Sequence, residues 1–314
     1  MKAVRAMATL VAALLTITIL LSACTAQGTP QADGDKNIQE DKLLVYTSFY
    51  PMYDFARQVG GDRIELVNLV QSGGDPHNWE PEPTDIVGLE KADLFIYNGA
   101  GMETWVDKVL ASLQNKDLVV VDTSAGIDLI AADHSHGEED DHDEEGESID
   151  PHIWLSLRNA KKQAETIMKA LTQVDPDNEE YYQENFNRFA AELDKLDAEY
   201  TAAMQKVTNK TLVVSHEAFA YLCKDYGLTQ MAVEGLTPDS EPDAARMVEI
   251  IEFCKQNNVK TIFFEEQASS KVADTISKAA GVSVSVLTAE QSKNGDDYLA
   301  FMRTNLQNLT EGLQ

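Results

Sequence analysis

The sequence predicts an α/β fold of two lobes, each a small parallel sheet flanked by helices, bridged by one long helix. Three observations carry this. Short apolar runs alternate with amphipathic stretches from Leu43 onward, the same order returns after residue 210, and the intervening stretch 178–207 contains neither glycine nor proline. Strand followed by helix, repeated, implies parallel pairing, because a crossover between parallel strands needs the length of a helix. A chain of 314 residues is long enough for two such lobes.

The elements follow in order. Lys2 and Arg5 precede an apolar run, 8–21, shorter than the roughly 18–20 residues that span a bilayer, so it reads as a signal segment. It stops at Leu21-Ser22-Ala23-Cys24, which resembles the lipobox of bacterial lipoproteins: residues 1–23 would be removed and Cys24 would carry lipid. Residues 24–41 are polar, with Gly28, Pro30 and Gly34, and read as a flexible tether. The N-terminal lobe, 42–177, then offers strands at 43–48, 64–70, 93–97 and 118–121, with helices at 50–59, 84–91 and 103–113.

Over 178–207, Tyr182, Phe186, Phe189, Leu193 and Leu196 recur at three- and four-residue steps, one stripe of a helix. Asp177 or Asn178, after Pro176, supplies the N-cap. The stripe is short for a coiled coil and lies between two α/β lobes, so an intramolecular strut is the expectation. The C-terminal lobe, 208–314, has strands at 211–215, 230–234, 261–265 and 283–287 and helices at 217–226, 242–257, 270–280 and 296–313. Cys223 and Cys254 fall in helical stretches, where either buried thiols or a disulfide is compatible with the pattern.

Acidic residues number 53 against 25 basic, a formal charge of −28. Nucleic acid and anionic lipid are disfavoured as partners by repulsion, and cations are favoured. Most of these carboxylates need no role beyond solubility. The six histidines say more. In open α/β sheets ligands bind beyond the carboxyl ends of the strands, and that is where His77, His152 and His216 fall. His77 follows strand 64–70 through a Ser-Gly-Gly-Asp-Pro turn, His216 directly follows strand 211–215, and His152 precedes a helix that Asn159 and Ala160 continue. Glu265 and Glu266 close strand 261–264. A single histidine at a loop end is usually only solvated; the set, drawn from both halves of the chain, places a cation between the lobes.

The segments Gly74-Asp75-Pro76-His77-Asn78-Trp79-Glu80-Pro81, Asp150-Pro151-His152-Ile153-Trp154-Leu155, Ser215-His216-Glu217-Ala218-Phe219 and Phe263-Phe264-Glu265-Glu266-Gln267 resemble the signature segments of the zinc/manganese receptors of bacterial ABC importers, across nearly the whole chain beyond Leu43. The resemblance implies two lobes spanned by one long helix, His77, His152 and His216 as imidazole ligands, and a carboxylate as the fourth. Glu265 takes the family's glutamate position, with Glu266 as its substitute. It further implies a monomer that is anchored to the membrane through Cys24 and delivers its ion to an ABC permease with a cytoplasmic ATPase.

Three imidazoles and one carboxylate suit Zn2+, whereas manganese favours more and harder oxygen donors. The manganese branch of the family carries a glutamate where His216 stands. A manganese or iron receptor, or a metal-dependent surface adhesin, is the alternative of the same fold. Residues 133–147 interleave His134, His136 and His142 with acidic side chains and contain no large apolar residue. They read as a mobile loop that either collects zinc loosely beside the cleft or is a solvated insert. A zinc hydrolase is the rival class. It needs an open position for water, and Ala220 stands where the second histidine of a His-Glu-x-x-His motif would fall.

Overall fold

A computed structural model describes residues 42–71, 74–132, 148–237, 241–265, 268–290 and 297–314. Cys24, the signal segment and tether, Glu266, and His134, His136 and His142 lie outside the described residues.

The first sheet comprises β1 (Leu43–Thr47), β2 (Ile64–Asn68), β3 (Leu94–Tyr97) and β4 (Val119–Asp122), interleaved with α1 (Tyr50–Gly60), α2 (Pro83–Leu89) and α3 (Val106–Ser112). The second comprises β5 (Thr211–Val214), β6 (Thr229–Ala232), β7 (Thr261–Phe264) and β8 (Ser283–Val286), with α6 (Ala220–Tyr226), α7 (Ala244–Gln256), α8 (Ser270–Ala280) and α9 (Tyr298–Gly312). Between them stand α4 (Leu157–Val174) and α5 (Glu179–Met204). Both sheets are parallel and share one strand order, β2-β1-β3-β4 and β6-β5-β7-β8. Chain direction across each sheet therefore reverses between its first and third strands. The loops leaving those strands diverge there and open a crevice at the carboxyl edge.

Strand alternation divides the apolar side chains between layers. Leu94 and Ile96 of β3, Leu212 and Val214 of β5 and Phe263 of β7 face one large central core, which also takes in α1, α4, α5 and α9. Phe95 faces an outer cluster with Trp105 and Leu89, and Val213, Ile262 and Phe264 face another with Ile250 and Cys254. The central core is thus common to both lobes. Cys223 lies in it and Cys254 in an outer cluster; both are free thiols.

The long helix is a strut, as the stripe of Tyr182, Phe186, Phe189, Leu193 and Leu196 predicts; all five are buried. Near its start Asn185 donates to Val59 O (2.9 Å) and Tyr181 accepts from Asp62 N (3.1 Å), while near its end Tyr200 donates to Met302 O (2.6 Å) and Asp197 accepts from Tyr226 (2.9 Å). Twenty-six residues, about 39 Å of helix, reach across both lobes. A second helix, α4, the one that Asn159 and Ala160 mark in the sequence, accompanies it over Leu157–Val174. Ser156 caps it, accepting from Asn159 N at 3.1 Å.

Two helices start later than their apolar patterns suggest, for a local reason. Glu103 turns its carboxylate back to the N–H groups of Asn98 (2.8 Å) and Gly99 (3.0 Å), so α3 begins only at Val106. Glu217 N is taken by Gly235 O (3.1 Å) and Ala218 N by His216 O (2.9 Å), which postpones α6 to Ala220 and leaves His216 on a turn.

Candidate metal centre

Each histidine is held by a different part of the frame. His77 lies in the turn after β2, its N–H on Asp75 Oδ1 (2.9 Å); Trp79, two residues on, packs edge-on against Trp105 at 5.2 Å and ties that turn to the first lobe. His152 belongs to the Asp150-Pro151-His152 turn between the lobes. Asn98 Nδ2 donates to Pro151 O (2.9 Å), and Asn98 is itself gripped by Gln163 of α4 (3.0 Å) and by Glu103. Burial pushes the Glu103 carboxyl up to about 7, against the pull of its hydrogen bonds. From the other side Trp154 Nε1 donates to Ala289 O (2.6 Å) and Tyr298 donates to Trp154 O (2.6 Å). His216 follows β5 after Ser215, at the reversal point of the second sheet.

The three rings converge through their outer nitrogens. His152 Nε2 is 3.1 Å from His77 Nε2 and 3.3 Å from His216 Nε2, and one ligand nitrogen from each residue lies within 4.8 Å of the others. Donors at 2.0–2.1 Å from an ion on tetrahedral corners stand about 3.3–3.4 Å apart, so two of these separations already match a zinc-sized tetrahedron. His152 and His216 are buried and His77 is partly so.

The inner nitrogens are occupied by carboxylates. Asp150 Oδ1 faces His152 Nδ1 at 2.8 Å, and Glu265 Oε1 faces His216 Nδ1. Such a pairing fixes the proton on Nδ1 and turns the Nε2 lone pair toward an ion. Burial, with the charges of His152 and His216 behind it, pulls His77 down to about 3, and burial also holds His152 well below the usual imidazole range. At His216 burial acts in the same direction, but the Glu265 carboxylate outweighs it and the net shift is upward. Two rings are therefore held in the neutral form that ligates, while the Glu265 carboxylate favours the protonated form of the third, against which an ion would compete.

β5 and β7 are neighbours, so Ser215 and Glu265 leave the sheet side by side. Ser215 Oγ donates to Glu265 Oε1 at 3.1 Å, and Glu265 N reaches Ser215 Oγ at 3.3 Å. The carboxylate is thereby held against the Nδ1 side of the His216 ring. Glu265 Oε1 thus meets His216 at Nδ1, the position from which a carboxylate orients a ring.

A different acid was missed. Glu290 follows β8 by four residues. Burial raises its carboxyl well above the usual range, and the Glu265 and Asp75 carboxylates push it further. Its carboxyl is therefore within electrostatic reach of both the His77 turn and Glu265. The strand-end rule that selects His216 selects Glu290 as well, since it is the first acid beyond the last strand.

A three-imidazole cluster in the crevice between two parallel sheets, with carboxylates fixing two of the rings, defines a metal-binding protein of the rigid, helix-bridged two-lobe type. The family profile described as "ZnuA: Zinc-uptake complex component A periplasmic" matches residues 45–312, and the chain belongs to that family. It is 40% identical over 308 residues to the high-affinity zinc uptake system protein ZnuA of Bacillus subtilis, covering 94% of each chain. It is 38% identical to the zinc-binding lipoprotein AdcA of Streptococcus pneumoniae, covering 93% of this chain and 58% of AdcA. Among solved structures it resembles the Zn(II)-bound ZnuA-like domain of that AdcA, with TM-score 0.75, 36% identity and coverage of 87% of this chain and 99% of the other. It also resembles the laminin-binding protein Lmb of Streptococcus agalactiae, described as bifunctional with adhesin and metal-transporting activity, with TM-score 0.77, 33% identity and coverage of 87% and 100%.

Proposed function

We propose that this protein captures zinc outside the cytoplasmic membrane and hands it to an ABC permease driven by a separate ATPase. The observation that carries the reading is the convergence of three Nε2 atoms from the first lobe, the junction and the second lobe at separations suited to tetrahedral zinc. His77, His152 and His216 are the imidazole donors, and Asp150 and Glu265 orient two of them. Glu290 is the carboxylate left to complete the shell: a buried acid crowded by two others is relieved by a divalent cation. Zinc here is cargo.

A complete set of four protein donors leaves no place for a reacting water, which supports a carrier over a hydrolase. Cys24 anchors the monomer through lipid and the 24–41 tether spaces it from the membrane. The loop 133–147 collects zinc near the cleft without belonging to the tight site.

The test is metal analysis of the purified protein after equilibration with equimolar zinc and manganese, with residues 133–147 present and deleted. Zinc alone should remain bound, one ion per chain after deletion; preferential retention of manganese would sink the reading. The protonation states set a second expectation. A proton on His216 Nε2 competes with the ion, and because its range is raised that competition sets in before that of His77, which at about 3 competes only in strong acid. Zinc affinity should thus fall as pH drops from 7 to 5, because protons on His216, on the raised Glu290 carboxyl and on Asp150, which burial pushes up to about 7, all oppose binding, while His77 and His152 add nothing over that range. Chelator competition across that range measures the slope.

A further inference from the structure

We propose that Tyr221 is a positioning residue for the metal centre: its hydroxyl, reaching from α6 in the second lobe, holds the Asp150–His152 pair in place. The inference rests on the reading of His152 as a zinc donor. Tyr221 is 2% exposed, and its ring packs with Ile127 and Ile153 in a small cluster at the lobe junction. Its hydroxyl accepts from Ile130 N at 3.0 Å and donates to Asp150 O at 2.8 Å. One oxygen thereby joins the segment after β4, the His152 turn and α6.

The argument turns on what fixes Asp150. Its Oδ1 accepts from His152 N (2.9 Å) and faces His152 Nδ1 (2.8 Å), while its Oδ2, though buried, has no hydrogen-bond partner among the described residues. The carboxylate therefore has no second tether of its own. Its aim is set by its backbone, which is held by Asp150 N on Ile130 O (2.9 Å) and by the phenol on Asp150 O. Removing the phenolic oxygen leaves two backbone groups, the half-buried Ile130 N and the buried Asp150 O, without that partner. The strand-like pairing of 130–132 with 148–150 can then shift against the second lobe, and the carboxylate that orients His152 shifts with it.

A buried tyrosine can also serve stability alone, and Tyr226 on the same helix supplies the comparison. Its hydroxyl donates to Asp197 at 2.9 Å and its ring stacks on Tyr200 at 4.9 Å, on the α5 side of the helix. The experiment compares Tyr221→Phe, Tyr226→Phe and His152→Ala in the full chain, by zinc titration against a chelator, by the visible absorption of the cobalt(II) form, and by melting temperature. Phenylalanine preserves the ring packing at both tyrosines, so all variants are expected to fold. Tyr221→Phe should weaken zinc binding by about tenfold, the lower end of what a lost outer-shell partner costs, and should alter the cobalt spectrum. Tyr226→Phe should lower the melting temperature and leave both metal readouts at the parent's values. If His152→Ala loses zinc but Tyr221→Phe matches Tyr226→Phe in affinity and spectrum, the Tyr221 role is overturned and the site stands. If His152→Ala binds as the parent does, the site reading fails and takes this proposal with it.

Discussion

Replacing His152 with alanine should abolish tight zinc binding, a loss beyond the roughly 10- to 100-fold that an orienting partner costs. His152 is the shared corner of the cluster: both short nitrogen separations, 3.1 Å to His77 and 3.3 Å to His216, run through it. It is also the ring held most firmly, with backbone and side chain both on Asp150 and Pro151 gripped by Asn98. Burial keeps it neutral, so in the free protein it contributes no charge that its removal would leave unbalanced. The loss should appear in chelator competition while the far-ultraviolet dichroism stays at the parent's. Parent-like affinity would mean the ion is held elsewhere.

The arrangement was legible in the sequence where chemistry and strand position coincide. His77, His152 and His216 lie beyond strand ends or at the lobe junction, and the rule for open sheets brings them together without any contact being known. The second acid was less legible because a carboxylate's role depends on which side of a neighbouring ring it meets. Glu265 sits directly after β7, as a ligand would, and pairing of β5 with β7 sets it beside Ser215, on the Nδ1 side of His216. Glu290 lies past Thr288 and Ala289 with no motif to mark it, and only the burial of its carboxyl shows its place. The frame divides in the same way. The apolar stripe of α5 is plain in its spacing, whereas the late starts of α3 and α6 follow from backbone bonds to Glu103 and Gly235 that no periodicity encodes.

These details bear on how a cargo site can work. A receptor must bind its ion and let it go, and in many two-lobed proteins a hinge does this. Here both sheets face one central core, and α5 is hydrogen-bonded to each lobe, so wide opening would expose that core to water. The His152 turn is bonded to elements of both lobes, through Asn98 on one side and Tyr221 and Ala289 on the other. Local ordering of loops at the crevice is therefore the motion to expect, with His152 and His216 fixed to the frame.

A frame of this kind predicts a single melting transition that one core deletion lowers as a whole. Phe55 on α1 is fully buried, its ring 5.7 Å from Phe189 of α5 and 4.8 Å from Tyr298 of α9. First lobe, strut and second lobe thus meet on one side chain. Phe55→Ala removes the ring and leaves a cavity that its neighbours fill only in part, a cost of about 3–5 kcal/mol. For a chain of this size each kcal/mol lowers the melting temperature by roughly 1.5–2 °C, so a drop of roughly 5–10 °C is expected by calorimetry. The endotherm should remain single, because α9 cannot lose Phe55 without α5 losing it as well. Zinc at a thousandfold excess over its dissociation constant adds about 4.1 kcal/mol to the folded state, and it should raise the melting point of parent and variant alike. Two separate transitions in Phe55→Ala, with zinc moving only one of them, would show that the lobes melt independently and that a hinge, not a loop, opens the site.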